Sequence, residues 1–406
     1  MTRASEKPAR LRYIPALDGL RGLSLPGTIL THFALLLQAG PGAPSWLSSV
    51  GPLTMNIQMF FVLSGALITS LLVAEHRRNG EMNLAKFYVR RSRRLGPALL
   101  AVLPAMILLT VFWSGHGVFQ PLGVHPARSV VVVGLFVGNW ALYAVSGGIG
   151  WLGPAWTLGI EEQFYLTWPW LLRATARRHI DRRAVLLGLA LAVVLALGIT
   201  EILFTHVGRQ RAFYSTPAQL PSILIGCALG YELTANPGGR LAAVLRSRVV
   251  ALGGLAGMVV VSIVAAHHPS YEIRGWYAVY AGFACLLIGH CFVSAEHSTF
   301  VTKVFAWRPF VIIGQISYEA YLIHVIVMLA VLRALPHLHV YPMMGLDLVI
   351  VAVLSAGFYY RVEQPIRRDG WRSVVLRARP VALGSVAEPA REYAVTGRVE
   401  VRGDDG

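Results

Sequence analysis

Eleven apolar runs of 16 to 24 residues divide this chain, with arginine-rich stretches between them. A helix needs about 20 apolar residues to cross a bilayer. The runs fall at 20–38, 52–74, 95–113, 129–146, 157–172, 184–205, 218–233, 249–266, 276–294, 309–332 and 344–360. Of the 406 residues, 55% are hydrophobic and 14% are charged, and the mean hydropathy is +0.57. A soluble domain carries about a quarter charged residues. The pattern excludes a soluble enzyme, a disordered chain and, with only three cysteines, a disulfide scaffold. Cys227, Cys285 and Cys291 lie within or beside apolar runs and read as small hydrophobes. What remains is an integral membrane protein of spanning helices.

The net charge of +16 would suggest nucleic acid on a soluble chain. Here the basic residues cluster between apolar runs, at 76–94, 173–183, 240–248 and 361–377, as cytoplasmic loops do. No nucleic-acid partner is expected. Two cytoplasmic stretches are separated by an even number of crossings, yet three runs lie between Arg94 and Arg173. One of 129–146 and 157–172 is therefore a re-entrant or half-spanning segment, tolerated only in protein or beside a wet cavity. Glu161 and Glu162 place that cavity at 157–172. The expected fold is all-α, with about ten transmembrane helices, one extra half-span and both termini cytoplasmic. Residues 1–12 form a cytoplasmic segment, 13–367 the transmembrane domain, and 368–406 a polar, disordered cytoplasmic tail.

A charge inside a span is costly and marks a functional candidate. Arg21 and His32 are 11 residues apart, which returns them to within about 20° on one helix face, roughly 16 Å apart in rise. Arginine suits a phosphate or carboxylate, and histidine takes up protons near neutral pH. Glu161 and Glu162 point about 100° apart on a helix. One can orient a histidine while the other binds acceptor hydroxyls or pairs with an arginine; alternatively, both hold the bundle together through basic partners. Tyr318, Tyr321 and His324 share a face three residues apart, either as a site or as polar contacts between helices. Arg90, Arg91, Arg93 and Arg94 serve topology or clamp a phosphorylated donor. No zinc-protease, paired-cysteine, Walker or complete nucleophile-elbow motif is present, so no metal is expected. Ser64 lacks the first glycine of the elbow.

Six motifs then resemble the membrane-bound acyltransferase 3 family. They are Leu17-Asp18-Gly19-Leu20-Arg21-Gly22 with His32; Phe60-Phe61-Val62-Leu63-Ser64-Gly65-Ala66-Leu67-Ile68; and Phe87-Tyr88-Val89-Arg90-Arg91 through Arg94 and Pro97. Thr157-Leu158-Gly159-Ile160-Glu161-Glu162-Gln163-Phe164-Tyr165, Ile316-Ser317-Tyr318 with Tyr321-Leu322-Ile323-His324, and Val362-Glu363-Gln364-Pro365 follow in family order. Thr157, Gly159 and Ala66 depart from the usual residues, and no charged position does.

The resemblance implies transfer of a short acyl group, often acetyl, from cytoplasmic acyl-CoA to a sugar hydroxyl of an envelope glycan, glycolipid or glycosylated metabolite. It implies a multi-pass protein of the plasma (inner) membrane, with acyl-CoA as donor substrate, no permanently bound cofactor and a stand-alone acyltransferase without an appended esterase domain. His32 is expected to be the general base, with Glu161 orienting it. Tyr318 and His324 would donate to the oxyanion. Arg21, Arg90, Arg91 and Arg94 would bind the donor, and Glu162 and Tyr165 the acceptor. Ser64 is the nucleophile candidate if transfer is covalent. The alternative is a multispan transporter of an acyl group or lipid-linked sugar, with His32, Glu161 and His324 as a proton relay.

Overall fold

A computed structural model describes residues 13–38, 53–113, 126–144, 150–268 and 272–371. Residues 1–12 and 372–406, assigned from sequence to the two terminal segments, lie outside the described residues. Among the described residues the chain is helical, without strands. The first half contains α1 (Pro15–Gln38), α2 (Asn56–Asn79), α3 (Leu84–Trp113), α4 (Pro126–Gly134), α5 (Gly138–Ala144), α6 (Trp156–Arg177), α7 (Arg182–Val207) and α8 (Arg209–Tyr214). The second contains α9 (Thr216–Ala235), α10 (Arg240–Leu245), α11 (Arg248–His267), α12 (Tyr277–Val293), α13 (Phe300–Phe305), α14 (Arg308–Gln315), α15 (Ser317–Ala334), α16 (Val340–Phe358) and α17 (Gln364–Asp369).

Six helical segments are both long and apolar enough to cross a membrane: Leu53–Asn79, Arg182–Val207, Arg248–His267, Glu272–Val293, Ser317–Ala334 and Val340–Asp369. The helices α1, α3, α6 and α9 match them in length at 24, 30, 22 and 20 residues. The chain is thus a multi-pass membrane protein. Around its rim, α7 turns Leu187, Leu191 and Val194 outward, and α11 turns out Val249, Val259 and Val260. This apolar surface suits lipid.

Run 129–146 breaks between α4 and α5, which are 9 and 7 residues long, with Phe136 in the left-handed region at φ 58°. At 1.5 Å per residue neither piece spans a bilayer. Run 157–172, the other segment left open as the half-span, is one continuous 22-residue helix, α6. The acidic pair therefore sits on an unbroken helix, and the shortened segment lies beside it. Gln163 of α6 donates from Nε2 to Phe136 O at 2.9 Å and to Asn139 Oδ1 at 2.9 Å, satisfying the backbone at the break. Run 309–332 is likewise two helices, α14 and α15, meeting at Ile316.

Close helix contacts fix the site. An added Cβ on Gly22 of α1 would lie 1.9 Å from Phe310 O of α14, and one on Gly65 of α2 would lie 2.1 Å from Ile223 O of α9. Glycine here allows backbone to meet backbone, as small residues do between membrane helices. One buried cluster joins Leu25, Ile29 and Phe33 of α1 to Ala320, Val327, Met328 and Val331 of α15 and Met343 and Val351 of α16. It holds the far half of α1 against α15.

Candidate active site

A cavity of about 700 Å³ lies between α1, α2, α3, α6, α15 and the C-terminal turns. Nine basic side chains line it against four acidic ones, so its field favours an anion. Exposed Arg78 and Lys86 stand at its mouth. The first turns of α3 carry Arg90, Arg91, Arg93 and Arg94 into it. Arg91 and Arg94 are three residues apart and share a helix face, while Ser92 between them is exposed.

The arginines differ in their partners. Arg21 pairs with Asp18 at 3.1 Å, Arg90 with Glu75 at 3.6 Å, and Arg367 with Glu363 at 3.2 Å. Arg91 donates to Glu162 Oε1 at 2.8 Å, and its guanidinium lies 3.6 Å from the centre of the Tyr165 ring. Arg93 and Arg94 form no salt bridge among the described residues, although the Glu363 carboxylate acts on Arg94 at longer range, and Arg93 Nε is buried without a hydrogen-bond partner. Just before α1, Tyr13 donates to Asp18 Oδ2 at 2.7 Å and accepts from Gln315 Nε2 at 3.1 Å. Burial and the Asp18 carboxylate push the Tyr13 phenol above its ordinary range, so it stays a donor.

Midway along the cavity, Ser64 Oγ donates to Glu161 Oε1 at 3.1 Å and Tyr165 Oη donates to Glu161 Oε2 at 3.1 Å. Within Phe61–Ser70 of α2, Ser64 alone is not buried, and it faces the cavity. At the apolar end stand Ile57, Phe60, Thr157 and Tyr321. The Tyr321 hydroxyl donates to Pro154 O at 2.6 Å and lies 2.9 Å from Thr157 Oγ1.

Beyond Phe60 and Tyr321 lie the two histidines, neither on the cavity wall. His324 Nδ1 lies 2.7 Å from Tyr321 O, and His32 Nδ1 lies 2.9 Å from Thr28 O. A carbonyl only accepts, so each Nδ1 carries its proton. His324 Nε2 is then an acceptor, and it faces His32 Nδ1 at 3.2 Å. The imidazoles meet edge to face, 4.9 Å between centroids. His32 Nε2 keeps its lone pair.

This geometry corrects several expectations. The neighbour of His32 is His324, not Glu161; Glu161 accepts from Ser64 of α2 and from Tyr165 of its own helix, whereas His32 sits on the far half of α1 against α15. Tyr318 donates to Leu95 O at 3.3 Å and is committed to the backbone. His324 presents an acceptor rather than a donor toward His32. Glu162 and Tyr165, expected to bind an acceptor, instead hold Arg91 from two sides. His290 is buried between Leu245 O and Thr299 Oγ1 and serves packing. Sequence reasoning gave no role to Thr157, Glu363 or Arg367; all but Arg367 stood within the quoted motifs. Tyr13 and Gln315 gave no signal. No group of three or more His, Cys, Asp or Glu able to hold a metal occurs among the described residues.

The bundle, the arginine-lined cavity and the histidine pair belong to one recognisable class. The acyltransferase 3 family, described as an acyltransferase domain, matches residues 14–361, and the chain belongs to it. Among curated relatives, the chain is 27% identical over 385 residues to the O-acetyltransferase OatA of Staphylococcus aureus (strain NCTC 8325), covering 91% of this chain and 59% of that protein. It is 29% identical over 377 residues to the putative peptidoglycan O-acetyltransferase YrhL of Bacillus subtilis (strain 168), covering 89% and 56%. It is 27% identical over 380 residues to the peptidoglycan O-acetyltransferase OatA of Listeria monocytogenes, covering 89% and 57%. The chain thus spans less than three-fifths of the length of these relatives. No solved structure matches it.

Proposed function

We propose that this chain is a membrane O-acyltransferase that moves a short acyl group, acetyl first, from acyl-CoA to a sugar hydroxyl of an envelope glycan, with peptidoglycan the leading acceptor. The names of its relatives support the acceptor class. The observation that carries the donor is the charge excess of the cavity, nine basic groups against four acidic. Such a wall suits a ligand with several phosphate charges. In this reading the protein sits in the plasma membrane with ten crossings and both termini cytoplasmic. The cavity mouth then opens to the cytoplasm.

His32 Nε2 takes the proton of the acceptor hydroxyl as its oxygen attacks the thioester carbonyl. The imidazolium is stabilised through Nδ1–H by Thr28 O and by the lone pair of His324 Nε2. The carbon–sulfur bond breaks, and the His32 proton passes to the leaving thiolate. Glu161, Glu162 and Tyr165 are positioning residues in this scheme, holding Ser64 and Arg91 along the donor path.

The test is release of free CoA from acetyl-, propionyl- and succinyl-CoA by protein in nanodiscs, with soluble peptidoglycan fragments present. Release that His32→Ala abolishes is the expected result. Tight acyl-CoA binding with no release under any acceptor would point to a carrier and overturn the proposal.

A further inference from the structure

The donor cavity and the histidine pair are separate compartments. The cavity wall includes Ile57, Phe60, Thr157 and Tyr321 but neither His32 nor His324. Phe60 and Tyr321 touch both sides. Each lines the cavity, and each packs on the cluster around Ile29, Phe33, Ala320 and Met328 that encloses the pair. The Tyr321 ring lies 5.6 Å from the His324 imidazole. Its hydroxyl, fixed by Pro154 O and Thr157, keeps the ring in place. Phe60 has no polar atom and no such tie. It sits one turn from Ser64 on α2 and is half-buried.

We infer that Phe60 and Tyr321 form a portal between the two compartments, and that its width restricts the transferred group to a short acyl chain. The inference rests on the proposed function: if His32 is the base and the arginine cavity holds CoA, the thioester carbonyl must pass between these rings to react. Tyr321 is the fixed jamb and Phe60 the side that yields. A two-carbon acyl group asks for a small displacement of one ring. Each further methylene has to be housed beyond the portal, among side chains already packed around Phe33 and Met328. Close packing there leaves no room without strain. Size exclusion against a rigid wall discriminates by one to two orders of magnitude per step.

The experiment compares wild type, Phe60→Leu and Phe60→Ala in nanodiscs, each checked for folding by its thermal transition. Apparent kcat/KM for CoA release is measured with acetyl-, butyryl- and hexanoyl-CoA and soluble peptidoglycan fragments. Phe60→Ala should lower the preference for acetyl over hexanoyl at least tenfold, with Phe60→Leu between it and wild type. The KM for acetyl-CoA should change less than the acyl preference, since Phe60 carries no polar group to hold a phosphate. An unchanged preference in both folded variants overturns the portal while leaving the proposed function intact. Acyl-CoA left untouched by wild type would instead overturn that function, and the portal with it.

Discussion

His32 turns its Nδ1–H toward the lone pair of His324 Nε2 at 3.2 Å, so one imidazole supports the other. This relationship separates their roles. His32→Ala removes the base of the proposed mechanism and should lower acyl transfer by a factor of about 10² to 10⁴. His324→Ala removes only a stabilising contact and should cost about tenfold in kcat, with donor KM unchanged. Steady-state CoA release by both variants at matched folded concentration checks the order. Equal losses in the two would mean that the pair acts as a unit.

Arg94 and Arg91 make a controlled comparison within one helix face. Arg94 lines the cavity and forms no salt bridge among the described residues, so Arg94→Ala should raise acyl-CoA KM by about tenfold with little change in stability. Arg91→Ala strands the Glu162 carboxylate, whose side chain is only 12% exposed. Breaking such a pair costs about 3 kcal/mol. Thermal unfolding in nanodiscs should therefore shift for Arg91→Ala and stay in place for Arg94→Ala.

Gly22 positions the helix that carries both Arg21 and His32. A methyl there would lie 1.9 Å from Phe310 O. Gly22→Ala forces α1 from α14 and should cost about 3 kcal/mol, as overpacked contacts do. Fluorescence-detected size exclusion should report a loss of monodisperse protein, and any surviving enzyme should show reduced kcat.

Asp347 is 1% exposed on α16, and neither carboxylate oxygen has a hydrogen-bond partner. It lies one turn from Met343 and from Val351, both in the cluster that encloses the histidines. An unpaired buried polar group costs about 1–3 kcal/mol. Asp347→Leu should raise the thermal transition. A rise accompanied by lost transfer would mark Asp347 as a group kept for chemistry; a rise with full activity would mark it as dispensable.

Much of this arrangement was legible in the sequence, for identifiable reasons. Long apolar runs announce helices because the bilayer leaves the backbone no other local partner. The 11-residue spacing placed Arg21 and His32 on one face because 3.6 residues complete a turn. The breaks at Phe136 and Ile316 were hidden inside apolar runs, where a change of backbone direction leaves hydropathy untouched. Gly134 and Gly138, flanking Phe136, were the available sign. The partners of Glu161 could not be read at all: which hydroxyl reaches a carboxylate depends on how α2 and α6 pack, and neither helix encodes that alone. The same holds for His324 facing His32 across 292 positions of sequence.

The wall formed by Phe60 and Tyr321 has a second consequence, for the membrane rather than the substrate. A charged, water-accessible cavity reaching deep into a bilayer is half of a proton leak. In the proposed arrangement the rings and the apolar cluster behind them would also insulate that cavity. The layer would have to admit one small neutral group without admitting a chain of water. Loosening it for bulkier groups would then cost membrane potential as well as selectivity.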